Sequence, residues 1–440
     1  MDKITRRDFF KLMGTGTASL WFLPFSTDKL ATFSEEPESW PLGKEHFVYS
    51  VCDQCPSGCG VVGRVVDGKV KKLDGNPNHP TNRGKLCPIG QAGTQLLYNP
   101  DRLREPLRQS GSKGSGRWQT TSWEEAIEAI AKQLRQLRAN GQPHHHAILT
   151  GEDNSDFSVL LNRFMESFGS PNYFRNIPAR ALRTAHFLTQ GTYTLPAYDL
   201  EQANLILSFG APLLEKWLSP MQSQRAYGYL RQERKGHRAK FIQVESRFSV
   251  TAAKADQWVP IRPGTEGALA LGIAYVLIKE KLYHKQFVED ETFGFEDWKD
   301  DKGQKHRGFK KYALKFYGPE RVSEITGISV SSIVKLAKGL SSIRPALVIG
   351  GGATSLYSNA THTEMAIHSL NALLGSLEVP GGLTHQQRVN LMPFPKVGLD
   401  TIAHNGLTQP VIDSPQKAIF SLPSHDPDML IESVLTGKPY

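Results

Sequence analysis

The stretch CDQCPSGCG at residues 52–60 holds three of the four cysteines in this 440-residue chain. The fourth is Cys87, which completes the spacing C-x2-C-x3-C-x27-C. Four thiolates give a [4Fe–4S] cluster one ligand for each iron. Pro56, Gly58 and Gly60 suit a tight loop that turns its N–H groups toward sulfide. We therefore predict a [4Fe–4S] cluster whose ligands are Cys52, Cys55, Cys59 and Cys87.

Two other uses of four cysteines stay open at this point. Zinc sites usually combine two separate C-x2-C knuckles, and only one pair here has that spacing. Disulfides are common in exported proteins, but a domain of this size has enough core not to depend on them. Both alternatives are weaker than the cluster.

Residues 1–31 have the features of an export signal. Arg6 and Arg7 precede a short, mildly apolar run at residues 12–23, which is too short to span a bilayer. Paired arginines indicate the twin-arginine route, which exports folded proteins. A protein that folds around its cluster in the cytoplasm needs such a route. We expect a periplasmic, membrane-associated protein. The sequence does not decide whether the segment is cleaved or is kept as a membrane anchor. The alternative to an export signal is a basic amphipathic first helix.

Composition narrows the class of protein only a little. An apolar content of 39% fits a large globular protein of more than one domain. The formal net charge of +9 comes without a block of lysines and arginines interleaved with aromatic residues, so no nucleic-acid partner is predicted. Beyond residue 31 no unbroken run of about 18 apolar residues occurs, so no later membrane span is predicted.

Helical and strand patterns alternate along most of the chain. After short β-like runs within residues 46–75, a capping box of Ser122 and Glu125 opens a helix that reaches residue 137. Apolar runs typical of buried strands follow, with helices between them. These runs are residues 147–150, 205–210, 241–244 and 346–349. Such strands predict parallel βαβ units, which bind ligands outside the carboxyl ends of their strands. The glycine and polar clusters that follow these strands are therefore the main candidates for a binding site.

The order of these motifs resembles that in the large subunit of the molybdopterin oxidoreductase family, related to dimethyl sulfoxide reductase. The export segment and the four-cysteine loop are followed by GKLCPIGQAG at residues 84–93. The stretch SRFSVTAAKADQWVPIRPGTEGALALGIAYVLI at residues 246–278 is the most specific match outside the cysteines. Shorter matches occur at residues 98–103, 123–131, 198–201, 370–375 and 380–382.

The resemblance implies an α/β fold: a small N-terminal β-rich [4Fe–4S] domain followed by doubly wound parallel-sheet α/β domains. The implied parts are a twin-arginine signal at residues 1–31, a [4Fe–4S] domain at 45–105, a nucleotide-binding-like α/β domain at 143–343, and a core domain formed by 106–142 with 344–440 that is incomplete at its C-terminal end. Members of the family usually continue well beyond this point, so we expect either a fragment or an incomplete cofactor cleft.

The resemblance also implies a bis-pterin guanosine dinucleotide cofactor that holds molybdenum or tungsten. Glu245 follows a predicted strand, where its carboxylate would accept hydrogen bonds from guanosine or ribose hydroxyls. In the RPGTE loop at residues 262–266, backbone N–H groups and Thr265 would bind a phosphate at a helix N-terminus, and Glu266 would pair with a guanine edge. The candidate cofactor-binding residues are Glu245, Arg262, Gly264, Thr265 and Glu266. The alternative is an ordinary capped helix start, and glycines such as those at 350–352 also end strands in proteins that bind nothing.

Three positions depart from the family pattern. Many members supply a metal ligand about a dozen residues before the glycine that matches Gly191, but residues 176–183 contain no Cys, Ser or Asp. Ile89 stands where a Lys or Arg often lies between cluster and pterin, and Ala211 replaces an Asn after the strand at 205–210. Each change removes a polar group from the expected cleft, and no catalytic residue is assigned.

Two functions from different classes follow from the resemblance. The first is a periplasmic oxidoreductase similar to polysulfide, thiosulfate and tetrathionate reductases, which transfers electrons between a substrate and a membrane quinone-linked complex. The second is a non-catalytic subunit similar to those of alternative complex III or menaquinone reductase, which has lost the metal–pterin cofactor. Either would pair with a ferredoxin-like iron–sulfur subunit and a quinone-interacting integral membrane subunit. A purely structural protein with disulfides is a weaker third interpretation.

Overall fold

The computed structural model describes residues 43–151, 155–175, 179–236, 238–386, 392, 394–412 and 427–437. The predicted export segment at residues 1–31 lies outside these ranges. None of the helices within them combines the length and the apolar character needed to cross a bilayer.

The N-terminal part is a three-stranded antiparallel sheet in the order β1-β2-β3. Its strands are β1 Glu45–Val51, β2 Gly60–Val66 and β3 Lys69–Gly75. Asp67 and Gly68 form the turn between β2 and β3, and both have a positive φ, as a two-residue hairpin turn of matching twist requires. The short helices α1 Pro88–Gln91 and α2 Gly93–Leu97 follow this sheet. The predicted small β-rich unit is confirmed.

The rest of the described chain alternates strands and helices. The strands are β4 Leu107–Gln109, β5 Trp118–Thr120, β6 Ile148–Thr150, β7 Tyr173–Arg175, β8 Ala197–Tyr198, β9 Leu205–Phe209, β10 Lys240–Val244, β11 Gln257–Val259, β12 Trp298–Lys299, β13 Lys305–His306, β14 Ala346–Ile349 and β15 Leu383–Thr384. The α-helices are α3 Trp123–Ala139, α4 Asp156–Phe168, α5 Arg180–Gln190, α6 Pro220–Gly228, α7 Val250–Lys254, α8 Glu266–Lys279, α9 Lys285–Glu291, α10 Phe309–Phe316, α11 Pro319–Thr326, α12 Val330–Ser342, α13 Ala360–Leu374, α14 Thr401–Leu407 and α15 Pro427–Thr436. Short 3-10 turns lie at Pro143–His145 and Gly352–Leu356, and a π-helical turn lies at Tyr229–Glu233.

A parallel sheet in the order β11-β10-β9-β14 forms the centre of the α/β part. Its strands are mostly apolar because helices cover both of its faces. Leu207 and Phe209 of β9 pack against α8, α12 and α13 on one face. Ile206 and Leu347 point the other way and pack with Leu182 of α5. The predicted doubly wound parallel sheet is confirmed.

The strand order reverses between β9 and β14. The chain runs from β9 through β10 to β11 on one side, and β14 adds to the opposite side of β9. At such a switch point the loops that follow the strands diverge and leave a crevice, where doubly wound sheets bind their ligands. Gly210 after β9 and the glycines at 350–352 after β14 lie at this crevice.

One expectation about a strand needs correction. The domain boundary between residues 343 and 344 stays a prediction, and β14 pairs in parallel with β9 across it. The run at 147–150, expected to be a buried strand, contains β6, which pairs with β7 in a separate sheet and leaves Leu149 69% exposed. A short apolar run shows that a strand forms, but contacts distant in sequence decide which sheet it joins.

Helix α3 begins at the predicted capping box. The Ser122 hydroxyl accepts a hydrogen bond from the N–H of Glu125 at 3.2 Å. The Glu125 carboxylate accepts one from the Thr121 hydroxyl at 2.5 Å. This bond, and then one from the backbone N–H of Ser122, lowers the pKa of Glu125. These reciprocal bonds satisfy N–H groups that the first helical turn would otherwise leave open.

We expect Ile242→Val to lower the free energy of unfolding by about 1 kcal/mol. Ile242 of β10 is 3% exposed within the core on one face of the sheet, so removal of a methylene leaves a small cavity. Anaerobic urea denaturation of the purified chain measures the change. The same substitution at Ile431, which is 57% exposed, is the control and should stay within about 0.5 kcal/mol. Equal losses at the two positions would contradict the core placement of Ile242.

Candidate functional site

The predicted cluster loop joins β1 to β2. Cys52 follows β1 and Cys59 precedes β2, and the N–H of Cys52 donates to the carbonyl of Cys59 at 2.8 Å. Cys59 is buried, whereas Cys52 and Cys55 are half-buried. Gly58 has a φ of 55°, which glycine adopts without strain. Three thiols are therefore held on one loop that is closed at its base.

The fourth thiol reaches this loop from helix α1. Cys87 is the N-cap of α1, and its Sγ accepts a hydrogen bond from the N–H of Gly90 at 3.5 Å. Burial first, and then the charges of Cys55, Cys52 and Cys87, raise the pKa of the Cys59 thiol to about 11. The other three thiols all contribute to this shift, so the four side chains lie in one neighbourhood, as binding by one cluster requires.

The structure also bears on the two alternative uses of the cysteines. All four are free, so no disulfide joins them. In the ranges that the structure describes, no three His, Cys, Asp or Glu side chains are placed to hold a single metal ion. A zinc site would bring four ligands to one ion, whereas a cluster distributes them over four irons.

Asn82 fastens the segment that carries Cys87 to the strand that begins after Cys59. Its amide group donates to the carbonyls of Gly60 at 2.9 Å and Lys85 at 2.7 Å. Its side-chain oxygen accepts from the N–H of Gly60 at 3.0 Å. Asn82 is fully buried, and these bonds satisfy its side-chain amide without water. The sequence did not point to this residue, because an Asn in a loop rich in Pro and Gly resembles an ordinary turn residue.

Among the described residues, two hydrogen bonds join the cluster unit to the α/β part. Ser57 of the loop donates to the carbonyl of Leu218 at 3.4 Å. Arg225 of α6 donates to the carbonyl of Thr81 at 3.2 Å. Leu218 directly follows Trp217, whose indole lies against the glycines after β14. The cluster loop therefore lies beside a segment that lines the crevice.

The glycines after β14 make room for side chains of this chain. A Cβ at Gly350 would lie 2.0 Å from the carboxylate of Glu364. A Cβ at Gly351 would lie 2.5 Å from the indole nitrogen of Trp217. Both distances are far below any real contact, so internal packing alone requires glycine at these two positions.

Glu245 lies directly after β10 and is 2% exposed. Its carboxylate accepts from the Ser249 hydroxyl at 2.6 Å, the Arg247 guanidinium at 3.0 Å and the Gln243 amide at 3.3 Å. Both carboxylate oxygens are thus bonded within the chain. A carboxylate has about four acceptor positions, so Glu245 is anchored and still has capacity for a ribose hydroxyl.

The RPGTE loop is held mainly by its own neighbours. The guanidinium of Arg262 donates to backbone carbonyls at the C-terminal end of α11. Gly264 has a φ of 77°, and the Thr265 hydroxyl donates to the carbonyl of Arg262 at 2.6 Å. These bonds match the alternative of an ordinary helix start. Glu266 differs from the other residues of the loop, because it is buried and its Oε2 has no hydrogen-bond partner in the described part of the chain.

A second buried carboxylate, Glu364 of α13, accompanies Glu266. Its Oε1 accepts hydrogen bonds from the hydroxyls of Thr354 and Ser355. Burial, with a further contribution from the charge of Glu266, raises the pKa of Glu364 to about 7, and burial raises the pKa of Glu266 as well. A protonated carboxyl can donate a hydrogen bond as well as accept one. Glu364 was not among the predicted residues; the available clue was a single acid in a helix that contains no other Asp, Glu, Lys or Arg.

Other buried polar atoms around Glu364 also lack partners within the described ranges. They are Glu364 Oε2, the Tyr198 hydroxyl, the Trp217 indole nitrogen and both ring nitrogens of His368. The rings of Tyr198 and Trp217 lie 5.6 Å apart. Burial raises the pKa of Tyr198 well above its usual value and lowers that of His368 to about 3, so both side chains are neutral. Buried polar atoms are normally paired, so a polar ligand in the crevice would complete this set.

The three departures from the family pattern occupy defined places. Ile89 lies on α1 and is 37% exposed. Ala211 is fully buried, and its carbonyl accepts from the Gln243 amide at 3.3 Å. Residues 176–178 of the metal-ligand window lie outside the described residues, and residues 179–183 enter α5 without a Cys, Ser or Asp.

Two family models match the chain. Residues 45–99 match the molybdopterin oxidoreductase Fe4S4 domain, and residues 102–411 match molybdopterin oxidoreductase. The first match contains the four cysteines, and the second contains the crevice. The matches support a [4Fe–4S] cluster and a molybdopterin cofactor without distinguishing molybdenum from tungsten.

Similar proteins include subunits of several reductases. The chain is 32% identical to the molybdopterin-containing subunit of an arsenate respiratory reductase from Shewanella sp. (strain ANA-3), over 84% of this chain and 45% of that protein. It is also 32% identical to the molybdopterin-binding-like subunit of a menaquinone reductase from Nitratidesulfovibrio vulgaris, over 86% of this chain and 52% of that protein. The chain is 28% identical to the molybdopterin-containing subunit of a thiosulfate reductase from Salmonella typhimurium, over 99% of this chain and 56% of that protein. The chain spans about half the length of the curated relatives it matches.

A solved structure shares the fold. Acetylene hydratase from Pelobacter acetylenicus superposes with a TM-score of 0.62 at 29% identity, over 76% of this chain and 44% of that protein. The fold over three quarters of this chain is therefore shared with a protein of known structure and similar sequence.

Proposed function

The chain belongs to the molybdopterin oxidoreductase family, and we propose that it is an oxidoreductase subunit whose [4Fe–4S] cluster carries electrons between a substrate and a membrane quinone-linked partner complex. We propose a sulfur compound as the substrate class, since one relative is a thiosulfate reductase subunit. The grouping of four free thiols around one loop and one helix end carries the proposal. Those ligands are Cys52, Cys55, Cys59 and Cys87.

Residues around the thiols would hold and tune the cluster. The N–H of Gly90, directed at Cys87 Sγ, would stabilise the extra negative charge of the reduced cluster, as hydrogen bonds to cluster sulfurs do. Asn82 keeps the two parts of the ligand set together. The bond from Ser57 to Leu218 places the loop beside the crevice, so electrons would have a short route between the two.

The crevice fits a pterin guanosine dinucleotide in part. When bound, that group would supply a metal centre for two-electron and oxygen- or sulfur-atom transfer. Glu266, Tyr198 and Trp217 offer buried polar atoms that suit a guanosine. Glu245 would accept from the ribose, and residues 262–265 would present the N-terminus of α8 to a phosphate.

A second candidate is a subunit that keeps the cluster but has lost the metal–pterin cofactor. The packing of Trp217 and Glu364 into the space beside Gly350 and Gly351 favours it. So does the sequence of residues 176–183, which has no Cys, Ser or Asp to bind the metal. One relative is named as a molybdopterin-binding-like subunit of a menaquinone reductase. In this role the chain would relay electrons and dock its partners.

Partners and location follow from the same proposal. We propose a ferredoxin-like iron–sulfur subunit as the electron partner and a quinone-interacting integral membrane subunit as the anchor, with no nucleic acid involved. The chain would be periplasmic, exported in folded form by the twin-arginine route through residues 1–31, and held at the membrane by its partners.

Elemental analysis of the protein purified anaerobically would test both candidates. About four irons with one molybdenum or tungsten per chain would support the enzyme. About four irons without either heavy metal would support the electron-relay subunit. A protein that binds no iron after expression with an intact cluster-assembly system would contradict both.

A further inference from the structure

We propose that five ionisable side chains form a proton relay between solvent and the crevice. In order from the surface they are Glu378, His385, His186, His368 and Glu364, and we name them the His–Glu relay. The inference rests on the proposed function, because a reduction in the crevice consumes protons, and it adds the route by which they arrive. None of the five is a cluster ligand or one of the candidate cofactor-binding residues.

The exposure of these side chains falls in steps toward the crevice. The side chains of Glu378 and His385 are 56% and 40% exposed. His186 of α5 is 0% exposed, and His368 of α13 is 2% exposed. Glu364 lies one helical turn before His368, is 0% exposed, and borders the crevice with its carboxylate. The series therefore leads from solvent to a buried acid.

Consecutive members of the His–Glu relay lie close together. Glu378 Oε1 accepts from the backbone N–H of His385 at 2.6 Å and lies 3.9 Å from His385 Nε2. The ring centres of His385 and His186 are 5.1 Å apart, and those of His186 and His368 are 5.9 Å apart. His368 and Glu364 are four residues apart on α13, which places their side chains on the same face. One bridging water joins polar groups across such separations, so no step requires a large movement.

His186 has hydrogen-bond partners whether or not its ring carries a second proton. Its Nδ1 donates to the carbonyl of Thr194 at 2.9 Å, and its Nε2 lies 3.2 Å from the side-chain oxygen of Gln190. In the charged ring both nitrogens donate to these oxygens. In the neutral ring Gln190 turns its amide over and donates to Nε2, because a primary amide has both a donor and an acceptor end. A ring that keeps its partners through gain and loss of a proton suits proton transfer.

The other two histidines have ring nitrogens that remain available. Both ring nitrogens of His368 and the Nδ1 of His385 are buried and have no hydrogen-bond partner among the described residues. An imidazole accepts a proton at one nitrogen and releases one from the other, so both nitrogens of a relay ring must be accessible to its neighbours. Burial lowers the pKa of His368 to about 3, and it also lowers the pKa of His186. Protons therefore pass through these rings without remaining on them.

Glu364 is the group at which the relay ends. Among the described residues, the ionisable groups that face it are Glu266 of α8 and Tyr198 of β8. Arg183 is a buried cation of α5, the helix that carries His186. Burial, and then the like charge of Glu266, raises the pKa of Glu364 to about 7. Near neutral pH this carboxyl both binds and releases a proton, as the last member of a relay must.

The reduction proposed for the crevice requires a supply of protons. Cleavage of a sulfur–sulfur bond takes two electrons and two protons and yields two S–H groups. The electrons would come from the partner complex through the cluster, and the protons from water at Glu378 and His385. Each proton that Glu364 releases would be replaced through His368 and His186.

Infrared spectroscopy of the anaerobically purified chain tests the relay without substrate. The carboxylic acid band that Glu364→Gln removes is followed after rapid dilution into D2O at a pH below the pKa of Glu364, and its shift measures exchange of the proton. His385→Ala should slow this exchange about a hundredfold, and imidazole added to the solvent should restore it. His368→Phe should slow it as much, without restoration, because imidazole does not reach a buried site. His362→Ala is the matched control, since His362 is an exposed histidine of the same helix, and it should keep the wild-type rate.

Three outcomes would overturn the relay. Exchange at the wild-type rate in both histidine variants would show that the proton of Glu364 leaves by another route. A slower rate in His385→Ala that imidazole does not restore would indicate a change of structure rather than the loss of a proton carrier. Absence of any band that depends on Glu364 would show that this side chain is ionised and cannot end the relay. The half-exposed His385 keeps the test decisive if His368→Phe does not fold.

Failure of the relay and failure of the proposed function give different results. The exchange rates depend on the chain alone, so they are expected to hold whether or not molybdenum or tungsten is bound. The proposed function fails if the protein binds no iron, a result that leaves the exchange measurement unaffected. Slow exchange in His385→Ala with normal iron content would support both.

Discussion

Cys59→Ser is expected to remove the [4Fe–4S] cluster or convert it to a smaller one. Cys59 is the most buried of the four thiols, and it is joined to Cys52 through the bond that closes the loop. A serine hydroxyl is a poor ligand for iron, because it stays protonated where a cysteine bound to iron is a thiolate. The variant should lose at least one of about four irons per chain. Iron analysis and visible absorption of anaerobically purified protein would measure the loss.

Ser57→Ala is the matched control for this variant. Ser57 lies in the same loop, but its hydroxyl donates to the Leu218 carbonyl at 3.4 Å rather than binding iron. Its replacement should leave iron content and absorption at the wild-type level. If Cys59→Ser also kept both at that level, the cluster assignment would be wrong. Equal losses in the two variants would instead indicate that loop packing, not ligation, determines iron content.

The cluster unit and the crevice strands could be predicted from sequence because their signals are local. The cysteine spacing specifies one loop and one returning segment, and Asp67 with Gly68 specifies the hairpin between them. The runs at 205–210 and 241–244 are mostly apolar on both faces, as strands of a covered parallel sheet are. Each of these signals lies within a few residues of the structure that it predicts.

Other features could not be predicted because they depend on residues far apart in the chain. Asn82 is important only through its bonds to Gly60 and Lys85. The predicted division of the chain places residues 344 and beyond in a different domain from β9. The sequence of residues 346–349 does not indicate that this strand pairs with β9. Glu364 is buried because Gly350 lies against its carboxylate, a contact between two separate elements.

Glu364→Gln is expected to remove a pH dependence from the stability of the α/β part. The carboxyl has a usual pKa of 4.5, and burial raises it to about 7 in the folded chain. Between these two values the folded chain binds more protons than the unfolded chain, so the free energy of unfolding falls as the pH rises from 4.5 to about 7. The difference between the two pKa values corresponds to about 3 kcal/mol. The loss is complete about one pH unit above the folded pKa, near pH 8.

Glutamine keeps the size of the side chain and an oxygen that accepts from Thr354 and Ser355, but it has no proton to lose. The free energy of unfolding of the variant, relative to that of the wild type, should therefore rise by about 3 kcal/mol between pH 4.5 and pH 8. Anaerobic urea denaturation of both proteins at matched pH values measures this difference. Glu378→Gln is the control, because the side chain of Glu378 is 56% exposed. A carboxylic acid band in the infrared spectrum that disappears above pH 7 in the wild type, and is missing from the Glu364 variant, would identify the group directly. A difference in stability that stayed constant across this pH range would show that Glu364 ionises normally, and that its burial against Gly350 is relieved in solution.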